Sequence, residues 1–364
     1  MKRYIVEKRL LEDNIETVKA LAGGASVYGV LKADGYGLGL EPLAQALSAH
    51  GIDRFCVTDP DDAEHLARLG LPVREILMLR PLHDETEIVS LLRCPAVTFS
   101  VGSPEDAALL DAVSRRENAR PRAHIEIDTG LGRYGIPWKN PTAAERLYTD
   151  FPRIEFTGIF THFSRAYCRR AIRRQFRRFQ RLTDRLAAGG RDVGVRHCAS
   201  SAALLLHPET RLDAVRVGGA FLGRAPGSDR HGLRRVGYCE AEVDAVRQLT
   251  AGQTVGYGST FRVRRSMRAA VVNVGSVHGL GAECVCGRRT LLPRLRSAVR
   301  EALRLLRGRP AVAGELRGRL APVVGSVFSE CAVLDVSACA CRPGDAVRFP
   351  INPLYRRNME CVWI

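Results

Sequence analysis

The sequence predicts an α/β protein, a (β/α)8 TIM barrel followed by a smaller, mainly β C-terminal domain. Eight short apolar or β-branched segments recur up to residue 222, and helical patterns lie between most of them. Strands that alternate with helices form parallel βα units, and eight such units favour a closed barrel. The eight predicted strands are Val27–Leu31, Phe55–Thr58, Glu75–Leu79, Ala96–Val101, His124–Ile127, Phe156–Phe163, Val195–Ala199 and Val215–Leu222.

The pattern changes after Gly223, which predicts a second domain. Residues 225–237 are rich in glycine and arginine and predict a linker. Apolar residues at helical spacing predict one helix beyond it, and the rest of this part is predicted as strands. The strands are Tyr238–Leu249, Arg268–Val274, Ala332–Val336 and Asp345–Pro350, and the helix contains Leu295, Val299, Ala302, Leu303 and Leu306.

The barrel helices are predicted from the same periodicity, with a strand over residues 1–10 in front of them. The net charge of +16 raises the alternative of a nucleic-acid partner. However, the densest arginine run, residues 165–191, carries Ile172, Phe176, Phe179 and Leu182 at helical spacing, which predicts an amphipathic helix with a basic solvent face. No nucleic-acid partner is therefore predicted. The other helices are Leu11–Ala22, Pro42–His50, Asp61–Leu69, Pro104–Arg116 and Thr142–Tyr148.

The cysteines and the apolar runs indicate a cytoplasmic protein without a membrane partner. No apolar run approaches the roughly 18 residues of a membrane span, and the N-terminus has no signal-peptide core. The eleven cysteines lack the spacing of a disulfide framework. Two Cys-x-Cys pairs, at 284–286 and 339–341, raise the alternative of a four-cysteine metal site. Zinc sites usually have wider spacing, so no metal site is predicted.

Lys32 is the first candidate for chemistry. The chain has 55 basic residues, of which only Lys2, Lys8, Lys19, Lys32 and Lys139 are lysines. Lys32 directly follows the predicted strand Val27–Leu31, and partial loss of hydration there favours its neutral amine. A neutral amine can form a Schiff base with the aldehyde of pyridoxal 5'-phosphate (PLP). The stretch alone leaves open the alternative that this lysine simply reaches water.

Residues 30–39, VLKADGYGLG, resemble the PLP-lysine motif of the alanine racemase family. Further matches follow in order up to about residue 262. The resemblance implies a PLP-dependent isomerase, an amino-acid racemase that interconverts L- and D-alanine for D-alanine biosynthesis by proton transfer at Cα from a lysine and a tyrosine. It also implies a homodimer, and it joins the strand of residues 1–10 to the C-terminal domain, residues 238–364, with the barrel at 11–224.

The resemblance assigns roles around the barrel mouth. Lys32 holds PLP and moves a proton on one face of the substrate, and Tyr36 bonds the phosphate. Residues 124–135, HIEIDTGLGRYG, match a K-x-D-T-G-M-G-R-x-G motif, in which Arg133 orients cofactor and substrate. Glu126 stands where well-known members have a carbamylated lysine, so it is expected to supply the carboxylate that faces Arg133.

Three more motifs complete the expected cofactor site. His162, in FTHFS at 160–164, is expected to support Arg216, and Ser201, in RHCASS at 196–201, is expected to bind the phosphate. Residues 213–220, DAVRVGGA, resemble the motif D-x-V-R-x-G-I-x, which implies that Arg216 faces the pyridine nitrogen, leaves it unprotonated and so favours proton exchange over transamination. A Cys198–His197 catalytic pair is a disfavoured alternative, because neighbours in a strand point to opposite faces. The expected cofactor-binding residues are Lys32, Tyr36, His162, Ser201, Arg216, Gly218 and Gly219, the two glycines cradling the phosphate.

The second catalytic residue is expected in the C-terminal domain. Residues 255–261, VGYGSTF, match the family motif whose tyrosine reaches the active site of the partner subunit, which makes Tyr257 the acid–base group opposite Lys32. Beyond it the resemblance fades at the entrance motif, residues 274–279, and at the substrate-flanking pair near Ser329 and Glu330. It leaves open whether Tyr355 contacts the phosphate. Serine or another amino acid is the alternative substrate, and a non-catalytic PLP carrier is the alternative function.

Overall fold

The computed structural model describes residues 1–282, 299 and 312–364. The chain forms two compact units, one of residues 8–236 and one of residues 1–7 with 237–364. Within the described residues, no helix has the length and apolar character needed to cross a membrane. Of the helix predicted around Val299, Leu295, Ala302, Leu303 and Leu306 lie outside the described residues, as do Cys284 and Cys286.

A closed barrel of eight parallel strands forms the first unit, so the predicted fold class is confirmed. Its strands pair in the order β2, β3, β4, β5, β6, β8, β9, β10, and β10 pairs with β2 to close the ring. The strands up to residue 217 are β1 (Lys2–Val6), β2 (Ser26–Val30), β3 (Arg54–Val57), β4 (Glu75–Met78), β5 (Val97–Val101), β6 (Arg122–Asp128), β7 (Ile136–Pro137), β8 (Glu155–Phe160), β9 (Val195–Ser200) and β10 (Ala214–Val217).

The apolar pattern overestimates the length of some strands. The prediction Val215–Leu222 is too long, because the strand ends at Val217 and Gly218 and Gly219 begin a turn. Phe156–Phe163 likewise ends at Phe160. Phe163 and Leu222 remain buried although they lie in connecting segments. These residues are apolar because they are buried, although they do not pair in a strand. A pattern of apolar residues indicates burial but does not by itself indicate strand pairing.

Helices cover the outside of the barrel. The basic helix is confirmed: Ile172, Phe176, Phe179 and Leu182 are buried, whereas most of its arginines are exposed. The first helix begins at Lys8, so the strand predicted for residues 1–10 is too long. The helices Glu85–Leu92 and Ser201–Leu206 are absent from the prediction. The helices are Lys8–Ala22, Leu40–Ala49, Pro60–Arg68, Glu85–Leu92, Pro104–Arg116, Pro141–Asp150, Arg169–Ala188 and Ser201–Leu206.

The second unit consists mainly of antiparallel strands. β1 pairs antiparallel with the first strand after residue 236, β11, and parallel with the last, β19, so the N-terminal strand belongs to this unit. Short strands beyond the prediction occur between residues 254 and 262, between residues 313 and 322, and at the C-terminus. The strands are β11 (Gly237–Leu249), β12 (Thr254–Val255), β13 (Phe261–Arg262), β14 (Met267–Val272), β15 (Ala313–Leu316), β16 (Arg319–Pro322), β17 (Ala332–Asp335), β18 (Ala346–Phe349) and β19 (Glu360–Trp363).

The segment predicted as a linker folds onto the barrel up to residue 236. The buried Asn14 amide donates to the carbonyl oxygens of Phe221 (2.8 Å) and Arg234 (2.7 Å), and its Oδ1 accepts from Arg234 N (2.9 Å). Leu233 and Val236 are buried as well. The glycines and arginines indicate a loop correctly, but one asparagine, 220 residues before Arg234, decides that the loop is fixed.

We predict that Asn14→Ala destabilises the barrel unit. Three backbone groups lose their partners, one of them the buried Phe221 carbonyl, and an unsatisfied buried group costs about 1–3 kcal/mol. The thermal midpoint should fall by roughly 5–10 °C. Asn140→Ala is the matched control, since Asn140 caps an exposed helix N-terminus through Ala143 N. It should lower the midpoint by only roughly 2–4 °C. Equal shifts in the two variants would contradict the tethering role of Asn14.

Candidate functional site

A cavity of about 510 Å³ lies where the barrel strands end. Active sites of such barrels are found at this face, because the loops that follow the strands converge there. The cavity is lined by every predicted site residue of the barrel except Glu126. These lining residues are Lys32, Tyr36, Arg133, His162, Ser201, Arg216, Gly218 and Gly219.

The Lys32 side chain lines the cavity, and the backbone that follows this residue has an unusual conformation. Lys32 lies two residues after the end of β2, not inside the strand, and residues 33–36 form a left-handed turn with φ between 52° and 58°. A left-handed conformation costs roughly 1–2 kcal/mol for each residue with a Cβ. Hydrogen bonds offset this cost, since Gly35 N donates to Leu31 O (2.8 Å) and Leu40 N donates to Asp34 Oδ1 (2.9 Å).

The surroundings of Lys32 favour its neutral amine. Partial burial lowers the pKa of Lys32 below its usual value, and the nearby charge of Arg133 lowers this pKa further. The side chain is nevertheless exposed to the open cavity. An amine that is both reachable and partly desolvated can act as a nucleophile or as a base.

Arg216 is a buried cation at the floor of the cavity. It is only 4% exposed and lies 5.0 Å from the ring centre of Phe160. Its Nη1 donates to His197 Nδ1 (2.7 Å) and to His197 O (3.1 Å), and its Nη2 donates to Thr161 O (2.9 Å). These bonds fix the plane of the guanidinium group. Burial lowers the pKa of Arg216 from its usual value, yet arginine remains charged at neutral pH.

His162 lies beside Arg216 as a neutral ring. Its Nδ1 is 3.4 Å from Arg216 Nη2, so this nitrogen can only accept. Burial lowers the pKa of His162 to about 3, and the charge of Arg216 contributes in the same direction. The ring therefore cannot serve as a cation near neutral pH.

Hydroxyl and backbone groups line another part of the cavity. Ser201 Oγ accepts from the amides of Gly218 (3.1 Å) and Ala220 (3.2 Å). The Tyr36 hydroxyl packs so closely on Gly218 that any Cβ at this position would collide with it. Burial raises the pKa of Tyr36 to about 12, so its hydroxyl stays protonated and can donate. Uncharged hydroxyl and backbone N–H groups of this kind suit a bound phosphate.

Glu126 lies beneath the cavity wall. It is 1% exposed, and its Oε1 is 3.9 Å from Arg133 Nη2, which is a Coulombic approach and longer than a hydrogen bond. Its Oε2 has no hydrogen-bond partner. Burial raises the pKa of Glu126 to about 7, although the charges of Arg133 and Arg216 oppose that shift. The carboxyl group therefore changes charge near neutral pH.

Two further cations line the cavity that the motifs do not include, Arg80 and Arg224. Arg80 follows β4 and donates through Nε to Thr58 O (2.7 Å). Its position directly after a predicted strand is the signal that could have identified it, since strand ends converge at this face. The cavity is therefore strongly cationic and suits an anionic ligand.

The alternative of a Cys198–His197 catalytic pair is wrong. His197 points into the barrel toward Arg216, whereas the Cys198 thiol donates to Thr210 O (3.2 Å). Burial raises the pKa of Cys198 to about 12, so the thiol is not a nucleophile at neutral pH. In the described part of the chain, no group of three or more histidine, cysteine or acidic side chains is arranged to hold a metal ion.

The residues predicted in the C-terminal unit form a cluster of their own. Tyr257 is 76% exposed at the tip of a short turn, with its ring 5.2 Å from the ring of Phe328. The two segments in which the resemblance fades, residues 274–279 and the region of Ser329, lie next to each other. Ser276 N donates to Phe328 O (2.9 Å), and Val277 N donates to Ser329 O (3.0 Å). Segments 50 residues apart in sequence thus lie side by side.

We predict that Glu126→Gln gains stability relative to the parent as pH rises. The raised pKa means that the fold favours the protonated carboxyl group, so this contribution is complete below about pH 4.5 and is lost as pH rises through about 7. Glutamine has no such loss. The difference in thermal midpoint, variant minus parent, should increase between pH 5 and 8. The exposed Glu12→Gln is the control and should give a difference independent of pH; a flat difference for Glu126→Gln as well would refute the shifted pKa.

Two family models match the chain. The model described as alanine racemase, N-terminal domain, matches residues 6–226, and the model described as alanine racemase, C-terminal domain, matches residues 236–352. Together they cover both units. The first matched range ends ten residues before the barrel unit does.

Relatives and solved structures agree with these matches. An alanine racemase of Desulfosudis oleivorans is 31% identical over 341 residues, covering 89% of this chain and 80% of the relative. That of Desulfovibrio desulfuricans is 29% identical over 334 residues, covering 89% of this chain and 82% of the relative. The crystal structure of alanine racemase from D-cycloserine-producing Streptomyces lavendulae has the same fold, with a TM-score of 0.83 at 22% identity over 100% of this chain and 97% of that chain. The chain therefore belongs to the alanine racemase family and is an isomerase of the amino-acid racemase class.

Proposed function

We propose that this protein interconverts L- and D-alanine with PLP as its cofactor. The observation that carries the proposal is one cavity in which a partly desolvated lysine, Lys32, and a buried arginine, Arg216, both line the wall. The family relatives are alanine racemases, which supports alanine as the substrate.

The cavity residues fit PLP in three respects. Lys32 offers an amine for the aldehyde, and the hydroxyl groups of Tyr36 and Ser201, both close to Gly218, are neutral groups that suit the phosphate. Arg216 can only donate hydrogen bonds, so it matches a pyridine nitrogen that carries no proton. When bound, the cofactor supplies a conjugated ring that stabilises negative charge at Cα of the amino acid.

Arg216 also limits the reaction that this site promotes. Arg216 cannot accept a hydrogen bond, so beside a bound cofactor it would leave the pyridine nitrogen without a proton, and the site would favour return of a proton to Cα. The buried position of Arg216 and its bonds to His197 and Thr161 hold the guanidinium plane against the ligand. Arg133, half-exposed at the cavity wall, is placed to orient the substrate carboxylate, and ionised Glu126 supplies it with a facing negative charge.

Racemisation needs a proton donor and acceptor on each face of Cα. We assign Lys32 Nζ to one face and Tyr257 Oη to the other. Tyr257 is exposed in the C-terminal unit of a single chain, which supports action on a second copy in a two-fold dimer. Each dimer would then contain two sites, and each site would use Lys32 of one subunit and Tyr257 of the other.

The first experiment tests the cofactor attachment. Protein incubated with PLP should become yellow, and borohydride reduction should fix the cofactor on the peptide that contains Lys32. Lys32→Ala should lose both the colour and the racemisation of alanine in a chiral assay. Lys139→Ala, at the surface beside Trp138, is the matched lysine control and should retain both. Cofactor found on Lys19 or Lys139 would refute the assignment, and parent protein that binds PLP without racemising alanine would favour another amino acid or a carrier.

The second experiment tests Tyr257 in the dimer. Tyr257→Phe should retain PLP and lose most racemisation in both directions, because each direction uses both groups. Exchange of the Cα proton of D-alanine into solvent needs only Lys32 and should survive better than exchange from L-alanine. Mixed Lys32→Ala and Tyr257→Phe subunits should regain activity, since one site of each heterodimer has both residues. Tyr167→Phe, at another exposed tyrosine, is the control. Heterodimers that form but stay inactive would exclude action across the interface.

A further inference from the structure

A row of polar contacts, two of them hydrogen bonds, runs from Arg216 down the inside of the barrel. Arg216 Nη1 donates to His197 Nδ1 (2.7 Å), and His197 Nε2 lies 2.9 Å from His124 Nδ1. His124 Nε2 lies 3.4 Å from Glu75 Oε1. Glu75 is the first residue of β4, at the opposite end of the strands from the cavity. The row therefore spans the barrel interior, from Glu75 at the far end of the strands to Arg216 at the floor of the cavity.

The donor and the acceptor of each hydrogen bond in the row can be assigned by starting from Arg216. Arginine has no acceptor, so His197 Nδ1 must accept and the proton of this ring must be on Nε2. His124 Nδ1 must then accept from His197, which leaves the His124 proton on Nε2, facing a carboxylate that can only accept. Burial lowers the pKa of His124 to about 4 and the pKa of His197 well below its usual value, so each ring carries a single proton at neutral pH.

The packing holds both imidazole rings in place. The His197 ring is stacked between the rings of Tyr28 (5.5 Å) and Phe160 (5.0 Å). His124 fits against Gly158, where a Cβ would come within 2.5 Å of Nε2, so only glycine leaves room for this ring. Neither ring can flip without displacing these neighbours, and the row therefore keeps one arrangement.

The Glu75 carboxylate is the only acidic group at the end of this row among the residues that the structure describes. It is 8% exposed, and its Oε2 accepts from the Tyr28 hydroxyl (2.6 Å). Arg54 Nε lies 3.7 Å from the same oxygen. Oε1 has no hydrogen-bond partner, and His124 Nε2 approaches it to 3.4 Å. The geometry thus leaves one carboxylate oxygen for the His124 ring.

We propose that Glu75 is a positioning residue for the proposed reaction, acting through His124 and His197 on Arg216. The Arg216 end sets both histidine tautomers, and the Glu75 carboxylate faces the Nε2 proton of His124 and so stabilises this arrangement, in which His197 presents an accepting Nδ1 to the guanidinium group. The proposal rests on the proposed function only for its effect on rate; the histidine tautomers follow from the geometry alone.

Histidine nitrogen spectra test the row directly, without an activity measurement. Long-range ¹H–¹⁵N correlation on ¹⁵N-labelled holoprotein at pH 7 should show His124 and His197 as neutral rings protonated at Nε2. Glu75→Gln retains an acceptor oxygen and should preserve both tautomers. Glu75→Leu removes the acceptor and should change the tautomer or the Nε2 shift of His124. Thr98→Val is the control and should leave both rings unchanged. Thr98 lies on the strand next to that of Glu75, and its buried hydroxyl has no hydrogen-bond partner.

Kinetics then test the effect on Arg216. Glu75→Leu should lower kcat for alanine racemisation at least tenfold while KM changes less than twofold, because Glu75 does not touch substrate. Glu75→Gln should fall between the parent and Glu75→Leu, and Thr98→Val should match the parent. Parent-like kcat in Glu75→Leu overturns the proposal. If Glu75→Leu does not fold, a parent spectrum that shows either ring protonated at Nδ1 overturns it. A parent that shows the predicted tautomers but no racemase activity would refute the proposed function and leave the row intact.

Discussion

The buried guanidinium group of Arg216 is the constraint on which the barrel interior depends. Removing a cation from water costs several kcal/mol unless hydrogen bonds compensate it. Here the compensation comes from two carbonyl oxygens, one imidazole nitrogen and the face of Phe160. His197 lies on β9, which pairs with the strand of Arg216, and Phe160 and Thr161 lie at the end of β8, the strand on the far side of β9, so the order of strands in the barrel brings them together. The polar interior is thus a consequence of placing one cation at the floor of the cavity.

The cavity itself depends on a second costly feature, the left-handed turn after Lys32. Three residues with side chains adopt positive φ there, Ala33, Asp34 and Tyr36. This turn directs Lys32 and Tyr36 toward the same cavity, although they are four residues apart. Strain of this kind persists where surrounding contacts determine it, as the bonds of Gly35 and Asp34 do here.

Charge is distributed in an unusual way around the site. Lys32, Arg80, Arg133, Arg216 and Arg224 all line one cavity, and Glu126 is the near carboxyl group. Burial lowers the pKa of Lys32 and the charge of Arg133 lowers it further, whereas burial raises the pKa of Glu126 to about 7. A phosphate-bearing cofactor and a substrate carboxylate would both reduce this repulsion. The strong positive charge of the site is therefore consistent with a ligand that carries negative charge.

The sequence alone determined the alternation of strands and helices, and with it the fold class, because burial of apolar residues at a regular spacing is a local signal. It also singled out Lys32, Arg133 and Arg216 as candidate site residues, since each lies in a recognisable motif on a strand or shortly after one. Only the tertiary structure decided that Asn14 fixes the segment before residue 236 and that Arg80 joins the cavity. It also brought Glu75 into line with an arginine 141 residues away, because closing a barrel joins polar groups whose neighbours in sequence carry no mark of the contact.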